Sequence, residues 1–89
     1  MKLTIKNLMG ESISLRDLGQ GFIHIIHAGV VIGARASSVR TEPGLLVVGP
    51  DDGVQIASFW IASFCGITAE AASQIESWLK AVQEEADAK

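Results

Sequence analysis

The chain has 89 residues, of which 48% are hydrophobic and 19% are charged, with a formal net charge of -3. A chain of this length is too short to bury two separate cores, so residues 1–89 are expected to form a single domain. Its single cysteine excludes an internal disulfide framework and favours a reducing compartment. The high apolar fraction of so small a chain predicts self-association or a permanent protein partner.

Charge is unevenly distributed along the sequence. Residues 1–50 contain five Lys and Arg against three acidic residues, a balance of +2, whereas residues 51–89 contain two against seven, a balance of −5. The acidic C-terminal part favours a basic protein partner over nucleic acid. The longest apolar run, residues 21–34, is too short to cross a membrane, and the N-terminus lacks a signal-peptide run. We therefore expect a cytoplasmic protein, or one assembled in a virion.

The first predicted element is a β-hairpin at residues 1–15. Apolar and polar residues alternate over residues 2–6 and 12–15, and this period of two is typical of half-buried strands. Gly10, in the segment between them, suits the left-handed position of a tight turn. Residues 16–21 are polar and contain two glycines, so we expect a connection with at most one helical turn.

A second hairpin is predicted next. Residues 22–27 are rich in Phe and Ile, Ala28-Gly29 is typical of a turn, and residues 30–32 form the partner strand. Residues 33–40 are mostly small, and they either continue that strand or form a loop.

A central strand is predicted at residues 45–48. This short run of Leu and Val follows the turn signal Glu42-Pro43-Gly44, in which proline and glycine preset the backbone angles of a turn. Its β-branched residues favour a buried strand.

The longest uncharged run, residues 53–69, has two interpretations. If residues 50–53 form a hairpin turn, Val54 to Trp60 is a further strand. If Asp51 caps a helix instead, residues 53–65 form a helix of about three turns. The apolar residues fit neither period, so both alternatives stay open.

The last predicted element is an amphipathic helix at residues 68–86. Thr68 is its expected N-cap, and Ile75, Trp78 and Leu79 recur on one face. The predicted fold class is therefore α+β: a small, mainly antiparallel sheet over residues 1 to about 50–60, with this helix packed across it. If residues 53–65 are helical, the C-terminal part is an αα-hairpin.

Candidate catalytic and metal-binding residues do not form a convincing set. His24 and His27 are three apart and point to opposite faces of a strand, so they cannot share a metal there. Cys65 has no cation near it in sequence to stabilise a thiolate, and we expect it to be a small core residue. The glycines lack the spacing of a phosphate-binding loop. The sequence thus predicts a protein that is not an enzyme and binds no metal or cofactor.

One stretch, residues 53–82, resembles a helix-turn-helix unit if residues 53–65 are helical. Ala62, Gly66 and Ile75 match its small, turn and core positions. The resemblance implies a DNA-binding regulator as the alternative function. The second helix would carry Glu70 and Glu76 towards phosphates, however, and this charge argues against nucleic acid as the partner.

The function predicted from the sequence is a small non-catalytic interaction module. It would be an assembly subunit, or a compact inhibitor of the kind encoded by phages and mobile elements, and would bind itself or another protein. An apolar patch and the acidic C-terminal part would make the contact. The candidate contact residues are Phe59, Trp60, Ile61, Phe64, Glu70, Glu76, Glu84 and Glu85.

Overall fold

The structure is a computed structural model and describes residues 1–49 and 62–88. Within them it contains a four-stranded sheet, a three-stranded sheet and a C-terminal helix. The elements are β1 (Lys2–Lys6), β2 (Ser12–Gly19), β3 (Phe22–His27), β4 (Val30–Arg35), β5 (Val39–Glu42), β6 (Leu45–Val48), β7 (Ala62–Cys65) and α1 (Ala69–Asp87).

The four-stranded sheet is an antiparallel meander in the order β1-β2-β3-β4. Both predicted hairpins are confirmed, and Gly10 has the expected left-handed conformation with φ +80°. The prediction for residues 16–21 is wrong: β2 continues to Gly19 through a bulge, and a turn at Gln20-Gly21 leads directly into β3. The extended form is more favourable than a helical turn because β2 pairs with a strand on each side, β1 and β3, and this pairing keeps its apolar residues on the core face.

The three-stranded sheet is also antiparallel, with β6 in its centre as predicted. A short 3₁₀ turn at Ala36–Ser38 separates it from the first sheet, so the strands form two sheets where a single sheet was expected. The buried Ala36 is fixed at this corner because its amide donates to the carbonyl of Gly21. The α+β fold class itself is confirmed.

The helical alternative for residues 53–65 is wrong where the structure describes it. Ala62–Cys65 is the strand β7, which pairs with β6 from Val48↔Ala62 to Leu45↔Cys65. Pairing with a buried central strand satisfies the backbone groups of these residues. A helix-turn-helix would need Ala62 in a helix, so that interpretation is wrong at this residue. The other alternative, a strand from Val54 to Trp60, lies outside the described residues.

Helix α1 packs its apolar face on both sheets. Thr68 is its N-cap, and its side-chain oxygen accepts a hydrogen bond from the amide of Ala71 at 3.1 Å. The predicted burial of its apolar stripe is confirmed. On the side of the helix that faces β5, Glu76 accepts hydrogen bonds from the amide and hydroxyl of Thr41. The core side chains that meet the helix include Ile5, Ile13, Leu15, Ile23, Ile25, Val39, Leu46 and Val48.

We predict that Trp78→Ala lowers the free energy of unfolding by about 3–5 kcal/mol, because it removes the largest side chain of the helix from the core. Trp78 is 7% exposed, and its indole N–H has no acceptor among the described residues. Trp78→Phe should therefore cost less, since it keeps a ring and removes the unpaired donor. Urea unfolding followed by circular dichroism measures both. Ser77→Ala, on the exposed side of the same turn, is the control, and an equal loss in Trp78→Ala and Ser77→Ala would contradict the assigned packing.

Candidate functional site

Two hairpin turns lie at the same end of the four-stranded sheet, because its strands alternate in direction. One turn joins β1 to β2 through residues 7–11, and the other joins β3 to β4 at residues 28–29. Strand β7 lies beside them, and together they surround a cleft of about 330 Å³. This end of the molecule collects polar, apolar and nucleophilic side chains in one place.

Asn7 builds the first turn with its side chain. Its Oδ1 accepts hydrogen bonds from the amides of Met9 and Glu11 at 3.0 and 2.9 Å, and its Nδ2 donates to the Glu11 carboxylate at 3.0 Å. The Asn7 carbonyl accepts from the amide of Gly10 as well. With 7% of its surface exposed, Asn7 is a buried polar residue whose hydrogen bonds fix the turn from inside.

The same turn is attached to the segment that precedes the helix. The amide of Leu8 donates to the carbonyl of Gly66 at 2.8 Å. Gly66 has φ +74°, and a Cβ added there would lie 3.3 Å from the Leu8 nitrogen, so a larger residue would be strained and crowded. Glycine at position 66 therefore allows the close approach that holds the turn against the body of the protein.

Glu11 connects the two hairpins. Its Oε1 lies 3.3 Å from Nε2 of His27, and the His27 ring meets the edge of the Phe64 ring at a centroid distance of 5.6 Å. The hydrogen bond from Asn7, and secondarily the one from His27, lower the pKa of Glu11 below its ordinary value of 4.5. The carboxylate is thus ionised at neutral pH and contacts both turns.

These well-fixed turns carry exposed apolar side chains. Leu8, Met9 and Val30 are 76%, 73% and 60% exposed, and we refer to these three residues as the apolar tip. Met9 and Val30 both line the cleft. Large apolar groups held in water on a rigid turn contribute nothing to the core, and such groups are typical of contact surfaces.

The cleft also places Ser63 and Cys65 on the same side as His27 and Glu11. The expectation that Cys65 is a core residue is wrong, because alternation along β7 turns Phe64 inward and leaves Cys65 exposed. His27 is already engaged by Glu11. In the described part of the chain no three His, Cys, Asp or Glu side chains come together in a way that could hold a metal ion.

The residues predicted to make contacts are distributed over different parts of the fold. Phe64 is half-buried against the core, and His24 and His27 lie on opposite faces of β3 as predicted. Phe59, Trp60 and Ile61 lie outside the described residues. The four glutamates are exposed on α1: Glu70, Glu76, Glu84 and Glu85.

The apolar tip was not predicted from the sequence. Its signal was present, since Leu8 and Met9 stand in a predicted turn, where small and polar residues are typical. Val30 gave no such signal, because an exposed and a buried strand position look alike in a run of three β-branched residues.

We predict that Asn7→Ala destabilises the fold by about 1–3 kcal/mol, because the turn amides lose a buried acceptor. The pKa of Glu11 should rise towards its ordinary value in this variant, since the main hydrogen bond that lowers it is gone. Urea unfolding and an NMR titration of the carboxyl carbon measure the two effects. Ser12→Ala, exposed on the adjoining strand, is the matched control. An unchanged Glu11 titration in Asn7→Ala would contradict the proposed role of Asn7.

We also predict a pH dependence that comes from Glu11. A carboxyl whose pKa is lower in the folded state stabilises the fold above its ordinary value of 4.5, and this contribution disappears as the pH falls through the lower folded pKa. The glutamine in Glu11→Gln does not titrate. Between about pH 7 and 3, this variant should therefore lose less stability on acidification than wild type does. Urea midpoints across that range measure it, with Glu85→Gln as the control for removal of one carboxylate. Identical pH profiles for Glu11→Gln and wild type would exclude the assignment.

Comparison of the chain with protein-family models, with curated proteins and with solved structures finds no significant match. Within the described residues, the helix is not long and apolar enough to cross a membrane. Function is therefore inferred from the surface chemistry of this end of the molecule, above all from the apolar tip.

Proposed function

We propose that the protein is a small non-catalytic interaction module that acts by surface contact with a protein. It would serve as an assembly subunit or as a compact inhibitor of the phage or mobile-element type, in the cytoplasm or in an assembled virion. The observation that carries the proposal is the apolar tip: Leu8 and Met9 are about three-quarters exposed on a turn that Asn7 holds from inside.

The construction of the turn supports a role in binding. A buried asparagine, a carboxylate and a close glycine contact restrict the turn, so little conformational entropy is left to lose when a partner covers it. Leucine and methionine fill partner pockets well, and the unbranched thioether of methionine adapts to irregular surfaces. The tip is thus preorganised as an anchor for a hydrophobic pocket.

The cleft beside the tip enlarges the contact surface. Its lining is mainly apolar, with Ile32 and Phe64 in its walls. A partner side chain that enters it would cover the half-buried His27 and the Glu11 carboxylate at its edge. An apolar centre with a few polar groups at the rim is the usual composition of a protein interface.

A non-catalytic role fits the chemistry of the cleft better than an enzymatic one. The cleft holds an imidazole and a carboxylate, but His27 Nε2 is directed to Glu11 rather than to a nucleophile. Cys65 lies in the wall of the cleft, and the residues that line the cleft include no Lys or Arg to stabilise a thiolate. The helix-turn-helix alternative is not supported by the described residues, since Ala62–Cys65, which its first helix would include, form the strand β7.

We predict that Leu8→Ser with Met9→Ser abolishes binding to the partner protein that the apolar tip contacts. Both side chains are exposed, so the variant should unfold at the same urea concentration as wild type within experimental error. Capture from the native host followed by mass spectrometry compares the proteins that bind to wild type and to the variant. Leu18→Ser, an exposed apolar residue at the opposite end of the sheet, is the matched control. Equal association of the tip variant and wild type would overturn the proposal.

The absence of catalysis has its own test. His24→Ala, His27→Ala and Cys65→Ser in one chain remove its imidazoles and thiol. If the protein acts by contact, this triple variant should keep its partner association as long as circular dichroism shows a folded chain. Loss of function in a folded variant with intact association would indicate chemistry instead.

A further inference from the structure

The outer face of the four-stranded sheet carries basic residues in register. Alternation along the strands directs Ile5, Ile13 and Ile25 to the core and their neighbours to the opposite side. Lys2 pairs with Arg16, which pairs with His24, and His24 pairs with Gly33, so these positions form one row across the sheet. The residues in β1–β4 that belong to the outer face are Lys2, Thr4, Lys6, Ser12, Ser14, Arg16, Phe22, His24, Ile26, Val31, Gly33 and Arg35.

The outer face of β1–β4 carries basic side chains, and none of these four strands places a carboxylate on it. The four strands are fully described and contain one acidic residue, Asp17. By alternation it belongs to the core-facing side of β2, and it accepts a hydrogen bond from the amide of Gly19. Lys2, Lys6 and Arg16 are exposed. Arg35 adds a guanidinium whose carbon lies 4.9 Å from the centre of the Phe22 ring.

The opposite side of the molecule carries the complementary charge. Helix α1 turns Trp78 and Val82 towards the inner face of the same sheet, so its solvent face looks away from the basic face. That helix contains five acidic residues and one lysine, a net charge of −4. Glu84 lies near the middle of its exposed side beside Lys80, and Glu70 lies nearer one edge of that side.

We infer that the basic outer face of the four-stranded sheet binds the acidic exposed face of α1 from a second copy of the chain. Charge complementarity between two faces on opposite sides of one molecule is the basis of the inference. Four strands spaced about 4.8 Å apart make a face wide enough for a helix about 10 Å in diameter. The exposed Phe22 and Val31 add apolar contacts beside the charges.

Such a contact uses a different surface on each partner, so it is heterologous and leaves one basic and one acidic face unoccupied at the ends. Copies therefore add in rows or close into a ring, and do not stop at a two-fold dimer. The inference rests on the proposed function only in that the protein acts by contact. It uses neither Leu8 nor Met9, so the two proposals can fail independently.

A second copy fits this face better than a nucleic acid does. The chain has a net charge of -3, and its acidic helix repels any polyanion that approaches the molecule. A second copy brings these carboxylates as a ligand, carried along one helix. Nucleic acid is accordingly the alternative outcome of the experiment.

The experiment exchanges the charges of the two faces. The sheet variant carries Lys2→Glu, Lys6→Glu and Arg16→Glu, which changes the charge of the outer face from +4 to −2. The helix variant carries Glu70→Lys, Glu84→Lys and Glu85→Lys, which changes the charge of α1 from −4 to +2. All six side chains are exposed, so both variants should fold. In sedimentation velocity at about 20 mM salt, wild type should associate with rising concentration, and about 0.5 M salt should dissociate it. Each variant alone should associate at least about tenfold more weakly.

The mixture of the two variants is the decisive measurement. The acidic sheet of one variant meets the basic helix of the other, and the remaining two faces are also complementary, so an equimolar mixture should associate as wild type does. Arg40→Glu, a reversal on the other sheet, is the matched control for Arg16→Glu and should leave association unchanged. Leu8→Ser with Met9→Ser should also leave it unchanged, which separates this contact from the tip.

Two results would overturn the inference. One is the absence of the expected association, either in wild type at low salt or in the equimolar mixture of the two variants. The other is a wild type that binds a fluorescent oligothymidine with an affinity that Arg16→Glu removes and Arg40→Glu does not, while remaining monomeric. That result would assign the basic face to single-stranded nucleic acid.

Discussion

The packing of α1 against both sheets is the interaction on which the rest of the structure depends. Its buried stripe meets the inner face of β1–β4 and also β5 with the 3₁₀ turn, so one helix closes the open side of each sheet. Neither sheet can bury its apolar face alone, because a single layer needs a second element packed against it to cover that face. The two charged faces follow from this arrangement, because each strand and the helix turn their polar residues away from the shared core.

The elements with regular periodicity were predictable from the sequence. Strict alternation in β1 and the spacing of Ile75, Trp78 and Leu79 in α1 give one interpretation each, and the structure confirms both. Residues 16–21 were not predicted correctly, because a bulged strand and a polar connection have the same composition. Cys65 was placed in the core on residue type alone, while its position in β7 depends on the pairing with Leu45, which a single sequence does not contain.

The site was less predictable than the fold, for a physical reason. Hydrophobic periodicity reports which residues face a core, and contact residues are those that break the pattern. Leu8 and Met9 do break it, but a turn between two strands can hide apolar residues under a neighbouring loop as easily as expose them. The bonds from Asn7 that expose them, and the charge that the register of β1 and β2 collects on one face, exist only in three dimensions.

The contact between Leu8 and Gly66 joins the binding end of the molecule to the start of the helix. The Leu8 amide donates to the Gly66 carbonyl, and two residues later Thr68 caps α1. Ile67, between them, donates its amide to Gly44 in the turn before β6. A force that a partner exerts on the tip therefore reaches the first turn of the helix through the short segment from Gly66 to Thr68. In mechanical terms, residues 66–68 connect the turn, the helix and the second sheet, and breaking their hydrogen bonds would separate all three together.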